Sequence, residues 1–423
     1  MSPINNKYSA IIRFLLHLHP RRVNEQALNY SRTFGLGGIN ALLFVILALS
    51  GILLRFSYVP TPHGAYDSIL ALQHQSVLGS LLRNVHHWSA TLMVVTAFLH
   101  MLRVFYSTSI FEERKKNWYY GLLLFVLVLA FNFTGYLLPW DQLSFWAVTI
   151  MTNILEYLPF IGEFLANLIR GGEVVDGKTL LNFYSFHTAL LPLLFVVFMV
   201  LHFWLIRKAK GVTVARRDEV KMVEVNPELI SKELVVGLVL IVAFLFFSMF
   251  FNAPLLEKAN PMVSPNPSKA PWYFMGIQEL LINLHPVMAT FIIPLSIGLF
   301  FYFIPKMTIE KENIGVWYYS VKGKKIILWS AVFSAILTLL IIMILAHALQ
   351  LSELNMPLFI STGLIPLLMY LIPVAIFIYY IKKTMSADKF EIIIAITTMI
   401  FVSYIVMSVV GVWFRGEGML LVF

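Results

Sequence analysis

The stretch Arg83-Asn84-Val85-His86-His87-Trp88, running on to His100-Met101-Leu102-Arg103, decides how the rest of this chain is read. It is an apolar helix pattern with a histidine near its start and another 14 residues on, from 86 to 100. That spacing is about four helical turns, roughly 21 Å of rise, and returns the second ring to nearly the face of the first. A second stretch, Tyr184-Ser185-Phe186-His187 running on to His202, repeats the arrangement with a 15-residue step. Two such helices side by side offer two His–His pairs, one near each end. Bis-histidine ligation of haem iron needs that arrangement, twice. One histidine in an apolar helix is more often a packing residue. Four at matched spacings on two helices point to ligands, His86 with His187 on one iron and His100 with His202 on another. Ionisable groups inside a bilayer are costly and are usually functional.

Composition places these helices in a membrane. The chain has 423 residues, 59% hydrophobic and 13% charged, with a mean hydropathy of +0.81. A soluble globule is not so apolar. There is no cysteine, so this polypeptide carries no disulfide, no iron–sulfur cluster and no Cys-attached haem. The formal charge of +9 invites a nucleic-acid reading, but the basic residues sit in loops between apolar spans, where they set topology, and no nucleic-acid partner is expected. The N-terminus, with Arg13, Arg21 and Arg22 among apolar residues, reads as a surface helix rather than a signal peptide.

The expected fold is all-α, a polytopic bundle of about eight to nine spans, each near the ~20 residues a bilayer core requires. Nine candidates fall at 37–58, 84–106, 118–138, 184–206, 233–251, 288–305, 326–348, 357–382 and 390–414. Shorter apolar segments near 143–157 and 272–283 read as surface or re-entrant helices. Alternate loops carry the basic residues: Arg114 to Lys116; Arg207, Lys208, Lys210, Arg216, Arg217 and Lys221; Lys306 to Lys325; and Lys382, Lys383 and Lys389. The positive-inside rule makes those loops and the N-terminus cytoplasmic, in a bacterial-type inner membrane. The chain divides into an interfacial segment (1–35), a di-haem four-helix bundle (36–210), a polar linker (211–232), a further helical region (233–350) and additional C-terminal helices (351–423).

Glycines give an independent check. Gly37 and Gly51 lie 14 apart in one span, and Gly121 and Gly135 lie 14 apart in another. Those spans run opposite to the histidine spans, so Gly51 and Gly135 fall at the depth of His86 and His187, and Gly37 and Gly121 at that of His100 and His202. Glycine permits close approach of a helix or a flat ligand. Arg83 and Arg103 suit anionic propionates, with interfacial snorkelling as the plain alternative. Arg207 and Lys208 follow His202 and face a propionate, a quinone headgroup or simply the cytoplasm. Two Pro/Trp-rich turns, Thr134-Gly135-Tyr136-Leu137-Leu138-Pro139-Trp140-Asp141-Gln142 and Asn266-Pro267-Ser268-Lys269-Ala270-Pro271-Trp272-Tyr273-Phe274, end up on the outer face.

These residues together resemble the cytochrome b subunit of quinol-oxidising bc complexes, most closely the b6 type fused to a subunit IV-like half. The resemblance rests on Arg83 to Ala90, the four histidines, the glycine pairs, Gly135 to Gln142, and Phe183 to Thr188 with Leu191-Pro192. It is dense over about 30–210 and thinner over 234–350. It implies two non-covalent b-type haems and a quinol pocket between the 134–157 and 266–280 regions. It also implies one electron passing to a Rieske-type iron–sulfur partner, and one crossing through the haems to quinone at the cytoplasmic side. A cytochrome c-type subunit, a homodimeric complex and a contribution to the proton-motive force follow from the same likeness.

Three departures stand out. The family's Pro-Glu-Trp-Tyr motif is here Ala270-Pro271-Trp272-Tyr273, so a proline replaces the proton-accepting glutamate. Glu279, about two turns on, is the candidate substitute beside Pro271, Trp272 and Tyr273, a helix-surface charge being the alternative. Gly35 stands where b6 proteins carry a haem-attaching cysteine. The chain also joins two halves that the b6 type keeps separate, and adds a helix. A di-haem anchor of a membrane dehydrogenase or hydrogenase would not need both outer turns. A transporter with histidine proton relays would purify without colour.

Overall fold

The computed structural model describes residues 21–215, 221–349, 351 and 354–422. Among these, nine helices are long and apolar enough to cross a membrane. They are α1 (Leu36–Arg55), α3 (Val77–Tyr106), α4 (Glu112–Leu137), α7 (Gly177–Lys208), α8 (Val225–Phe250), α10 (Met288–Lys306), α11 (Val321–His347), α12 (Phe359–Thr384) and α13 (Lys389–Trp413). Each overlaps one expected span. Shorter helices lie between them: α2 (Ala65–Gln75), α5 (Gln142–Leu155), α6 (Gly162–Arg170) and α9 (Met275–Asn283). The expected short segments at 143–157 and 272–283 correspond to α5 and to α9 with the 3-10 turn Trp272–Phe274 before it.

The N-terminal reading needs correction. Arg13 and the rest of 1–20 lie outside the described residues, as do Arg216 and Arg217. Arg22 is in a strand rather than a helix: β1 (Arg22–Asn24) pairs antiparallel with β2 (Met222–Glu224). Val23, Leu28 and Val225 bury a small core behind this ribbon. Arg22 donates to Glu224 at 2.9 Å, and this bond holds the exposed Glu224 carboxyl below the usual range. The linker therefore returns to the N-terminal segment.

The described residues fall into two compact units, whose boundaries differ from the linear division. The first comprises the chain up to Tyr136, Tyr184–Pro254 and Pro305–Trp317. It holds α1, α3, α4, the histidine-bearing part of α7, and also α8. Helix α8 joins because the start of α3 grips its end. The Asn84 amide donates to Ser248 O and to Asn252 Oδ1, each at 3.0 Å, and its oxygen accepts from Ala253 N at 2.8 Å. Trp88 Nε1 donates to Phe251 O at 2.8 Å. Leucine, methionine and phenylalanine fill the interior, among them Leu43, Met93, Phe105 and Phe195, with Phe44 stacked on Phe195 at 4.5 Å.

The second unit comprises Leu137–Phe183, Leu255–Ile304 and Tyr318–Phe423. Its helices α11, α12 and α13 pack around Ile326, Ile381, Ala395 and Met399. Their membrane-buried hydroxyls pair: Ser403 meets Ser334 and Thr338 at 2.8 Å and Tyr370 at 2.7 Å. Asp388 and Glu391 form a reciprocal cap that starts α13.

Candidate cofactor site

Helix α3 carries His86 and His100 on one stripe, as the 14-residue step requires. Helix α7 carries His187 and His202, but not on a plain α-helix. Phe186–Leu190 form a π-turn immediately before Leu191-Pro192. Pro192 has no N–H to give its preceding turn, and the widened turn accommodates that loss. This extra residue per turn lies between His187 and His202, and accounts for a 15-residue step matching a 14-residue one.

In the first unit His86 and His187 face each other, ring centroids 6.2 Å apart with planes at 69°. Two metal–nitrogen bonds of ~2 Å, plus about 1.1 Å from nitrogen to ring centre on each side, sum to roughly this value. The rings thus leave room for one metal between them. Each is oriented from behind. Ser50 Oγ, which donates to Ile46 O at 2.7 Å, meets His86 Nδ1 at 2.9 Å. His187 Nδ1 lies 3.1 Å from Phe131 O and 3.2 Å from Thr134 Oγ1. Metal-binding histidines are commonly fixed through the other ring nitrogen in this way. At the far ends of the same helices, His100 and His202 are close enough to interact electrostatically. The Nδ1 of His100 is buried without a hydrogen-bond partner, whereas the His202 ring has the Asn117 backbone within reach.

Each ring faces a glycine on a neighbouring helix. A Cβ on Gly51 would lie 3.1 Å from His86 Cε1, and one on Gly135 would lie 2.6 Å from His187 Cε1. On Gly37 and Gly121 it would meet His100 and His202 at 3.5 Å. All four glycines therefore lie beside the histidines that the depth argument pairs them with. Among the described residues no cluster of three or more His, Asp or Glu could hold a bare metal ion. Paired histidines suit instead a metal that brings its own equatorial donors, as haem iron does. The residues fit that group.

Both arginines of the histidine helix are engaged by backbone carbonyls. Arg83 is buried and donates to Ala253 O at 2.7 Å, Pro254 O at 2.6 Å and Gln73 at 2.9 Å. Its guanidinium holds backbone. Arg103, also buried, donates through Nε to Arg32 O at 2.8 Å. Arg207 is half-buried near the end of α7.

The outer turns both lie in the second unit from Leu137 onward. Trp140 takes a left-handed φ of +53°, and Asp141 then caps α5 through Ser144 N at 2.9 Å. The same carboxylate accepts from Leu256 N at 3.1 Å, Gln142 N donates to Glu257 O at 2.7 Å, and Ala259 N donates to Trp140 O at 3.1 Å. The 137–142 turn is thus a dock for the 255–260 loop. Pro271 and Tyr273 are buried, and Trp272 is 42% exposed. Glu279 is not a surface charge: it is 1% exposed, and Arg415, 5% exposed, pairs with both its oxygens. The sequence reading missed Ser50, Thr134 and Arg415. The first two carried a signal, a hydroxyl residue directly before Gly51 and Gly135.

Comparison with known proteins agrees with this geometry. The family model for cytochrome b/b6/petB matches residues 23–210. Cytochrome b6 of Heliomicrobium gestii is 43% identical over 174 residues, 41% of this chain and 82% of that relative. Cytochrome b6 of Prochlorococcus marinus strain NATL1A is 43% identical over 173 residues, 41% of this chain and 79% of that relative. A solved structure titled "Hyperthermophilic respiratory Complex III" superposes with a TM-score of 0.66 at 20% identity, covering 95% of this chain and 96% of that one. The matches place this multi-pass membrane bundle among redox carriers of the membrane. The chain belongs to the cytochrome b/b6 family, whose members bind b-type haems and quinones and transfer electrons in membrane quinol oxidoreductases.

Proposed function

We propose that this chain is the di-haem cytochrome b of a quinol:acceptor oxidoreductase, oxidising quinol at the outer face and reducing quinone at the cytoplasmic face. The observation that carries it is the facing His86 and His187 rings, 6.2 Å apart, each backed by a hydrogen bond and set against a glycine. His86 and His187 would hold one haem iron, and His100 and His202 the other. Two b haems held there would supply reversible one-electron carriage between the faces. Ser50, Phe131 and Thr134 fix the first pair of rings, so neither imidazole has to reorient when charge changes. Each glycine leaves space beside one histidine ring, most tightly at Gly135 and Gly51.

The orientation rests on loop charge: the loops rich in Lys and Arg are cytoplasmic. Pro271, Trp272 and Tyr273 belong to the outer quinol site, because they occupy the family's motif. Quinol gives one electron to a Rieske-type iron–sulfur partner and a cytochrome c-type subunit, while the other crosses the membrane. Protons leave outside and are taken up inside, adding to the proton-motive force. The complex is a homodimer of such assemblies. A reduced-minus-oxidised spectrum with a pyridine haemochrome count tests the reading. Two low-spin b haems per chain are expected, and one or none overturns it.

A further inference from the structure

The last helix, α13, and the tail behind it lie outside the stretch that the family model matches, and the function above leaves them idle. Yet within the second unit they hold the 266–283 segment at five points. Arg415 pairs with Glu279 through Nε, at 3.1 Å from Oε2, and through Nη2 to Oε1. Tyr404 OH donates to Tyr273 O. Lys269 Nζ donates to Val412 O at 2.9 Å. Gly418 N donates to Asn266 Oδ1 at 2.5 Å. Gly276 packs so closely on Tyr404 that a Cβ there would lie 2.6 Å from its ring. This is the segment that carries Pro271-Trp272-Tyr273.

The ion pair is the deepest of these links. Both Glu279 oxygens accept from Arg415, and Oε1 also accepts from Asn283 Nδ2 at 2.9 Å. Arg415 turns its remaining arm to Met419 O at 3.1 Å, so the tail folds over the pair. Removing either partner would leave the other as a buried charge without its counter-ion, an expensive arrangement. A carboxylate engaged on both oxygens is built to hold position, not to take protons from a substrate.

We propose that Arg415 is a positioning residue for quinol oxidation: by clamping Glu279 it fixes the Pro271–Tyr273 turn, and Glu279 is an anchor rather than the proton acceptor. This rests on the assignment of quinol oxidation to that turn. The proline at 271 is then not compensated by Glu279. The site works without a carboxylate at that place, and the added helix supplies the rigidity.

The test uses the whole complex in native membranes, with dimethylnaphthoquinol or decylubiquinol, whichever the wild type oxidises. E279Q and R415Q each break the pair and should lower turnover about tenfold or more. E279Q/R415Q removes both charges and should regain most of that loss, with the wild-type pH–rate profile. R415K, which keeps the charge but loses the two-pronged geometry, should fall between. A double variant as slow as E279Q, or a shifted acid limb in E279Q alone, overturns the proposal and restores Glu279 as proton acceptor. If the single variants fail to assemble, the double variant and R415K decide. A haem-replete double variant without turnover, or R415K with a shifted pH profile, overturns it. Wild type lacking two haems would instead indict the functional assignment.

Discussion

At the scale of single residues, the glycines make the sharpest statement. The four share a residue type and a spacing, but not a tolerance. A Cβ at Gly135 would lie 2.6 Å from His187, closer than real side chains approach, whereas at Gly37 or Gly121 it would make ordinary contact at 3.5 Å. Gly135→Ala should therefore displace the His187 ring from its bond to Phe131 O and reduce bound haem to about one per chain. Gly37→Ala and Gly121→Ala should keep both. Pyridine haemochrome counts on the three purified variants check this, and equal haem content in all three would refute it. None of this grading is legible in sequence, where the glycines differ only in their neighbours. The neighbours do help: Ser50-Gly51 and Thr134-Gly135 each put a hydroxyl behind the ring that the glycine accommodates.

At the scale of elements, the spans were readable because a bilayer asks for ~20 apolar residues and tolerates few charges. What the pattern could not show is where helices widen. Three π-turns, Phe186–Leu190, Met288–Ile292 and Phe359–Leu364, each end just before a Leu-Pro or Ile-Pro pair. The prolines are visible in sequence. Whether a membrane proline kinks, breaks or widens its helix depends on the packing around it. Between α11, α12 and α13 the decisive contacts are hydroxyls that sequence analysis passed over. Ser403 joins Ser334, Thr338 and Tyr370. Each such intramembrane bond contributes about 0.6 kcal/mol and at most ~1.7. Ser403→Ala should thus cost about 1–3 kcal/mol, read as earlier unfolding in denaturing detergent. The exposed Thr384→Ala, whose hydroxyl bonds only within its own helix, is the control and should change little.

At the scale of the whole molecule, the nine spans among the described residues put successive loops on alternate faces, and loop charge chooses which is which. The absence of cysteine makes the choice directly testable. Met262 and Ser386 are exposed and separated by three spans of the second unit, α10 to α12. A membrane-impermeant maleimide should label Met262→Cys in intact spheroplasts and Ser386→Cys only in inverted vesicles. The reverse pattern would invert the topology. The sequence by itself determined the membrane class, the nine spans and the pairing of four histidines with four glycines. Those depend on hydropathy and on helical periodicity, which are local and repeat along the chain. Only the tertiary structure decided that α8 belongs with the histidine helices, that Arg83 holds backbone, and that Glu279 is clamped by Arg415, 136 positions away. Partners so distant in sequence leave no periodic trace, because what joins them is the geometry of packed helices and the cost of burying a charge alone.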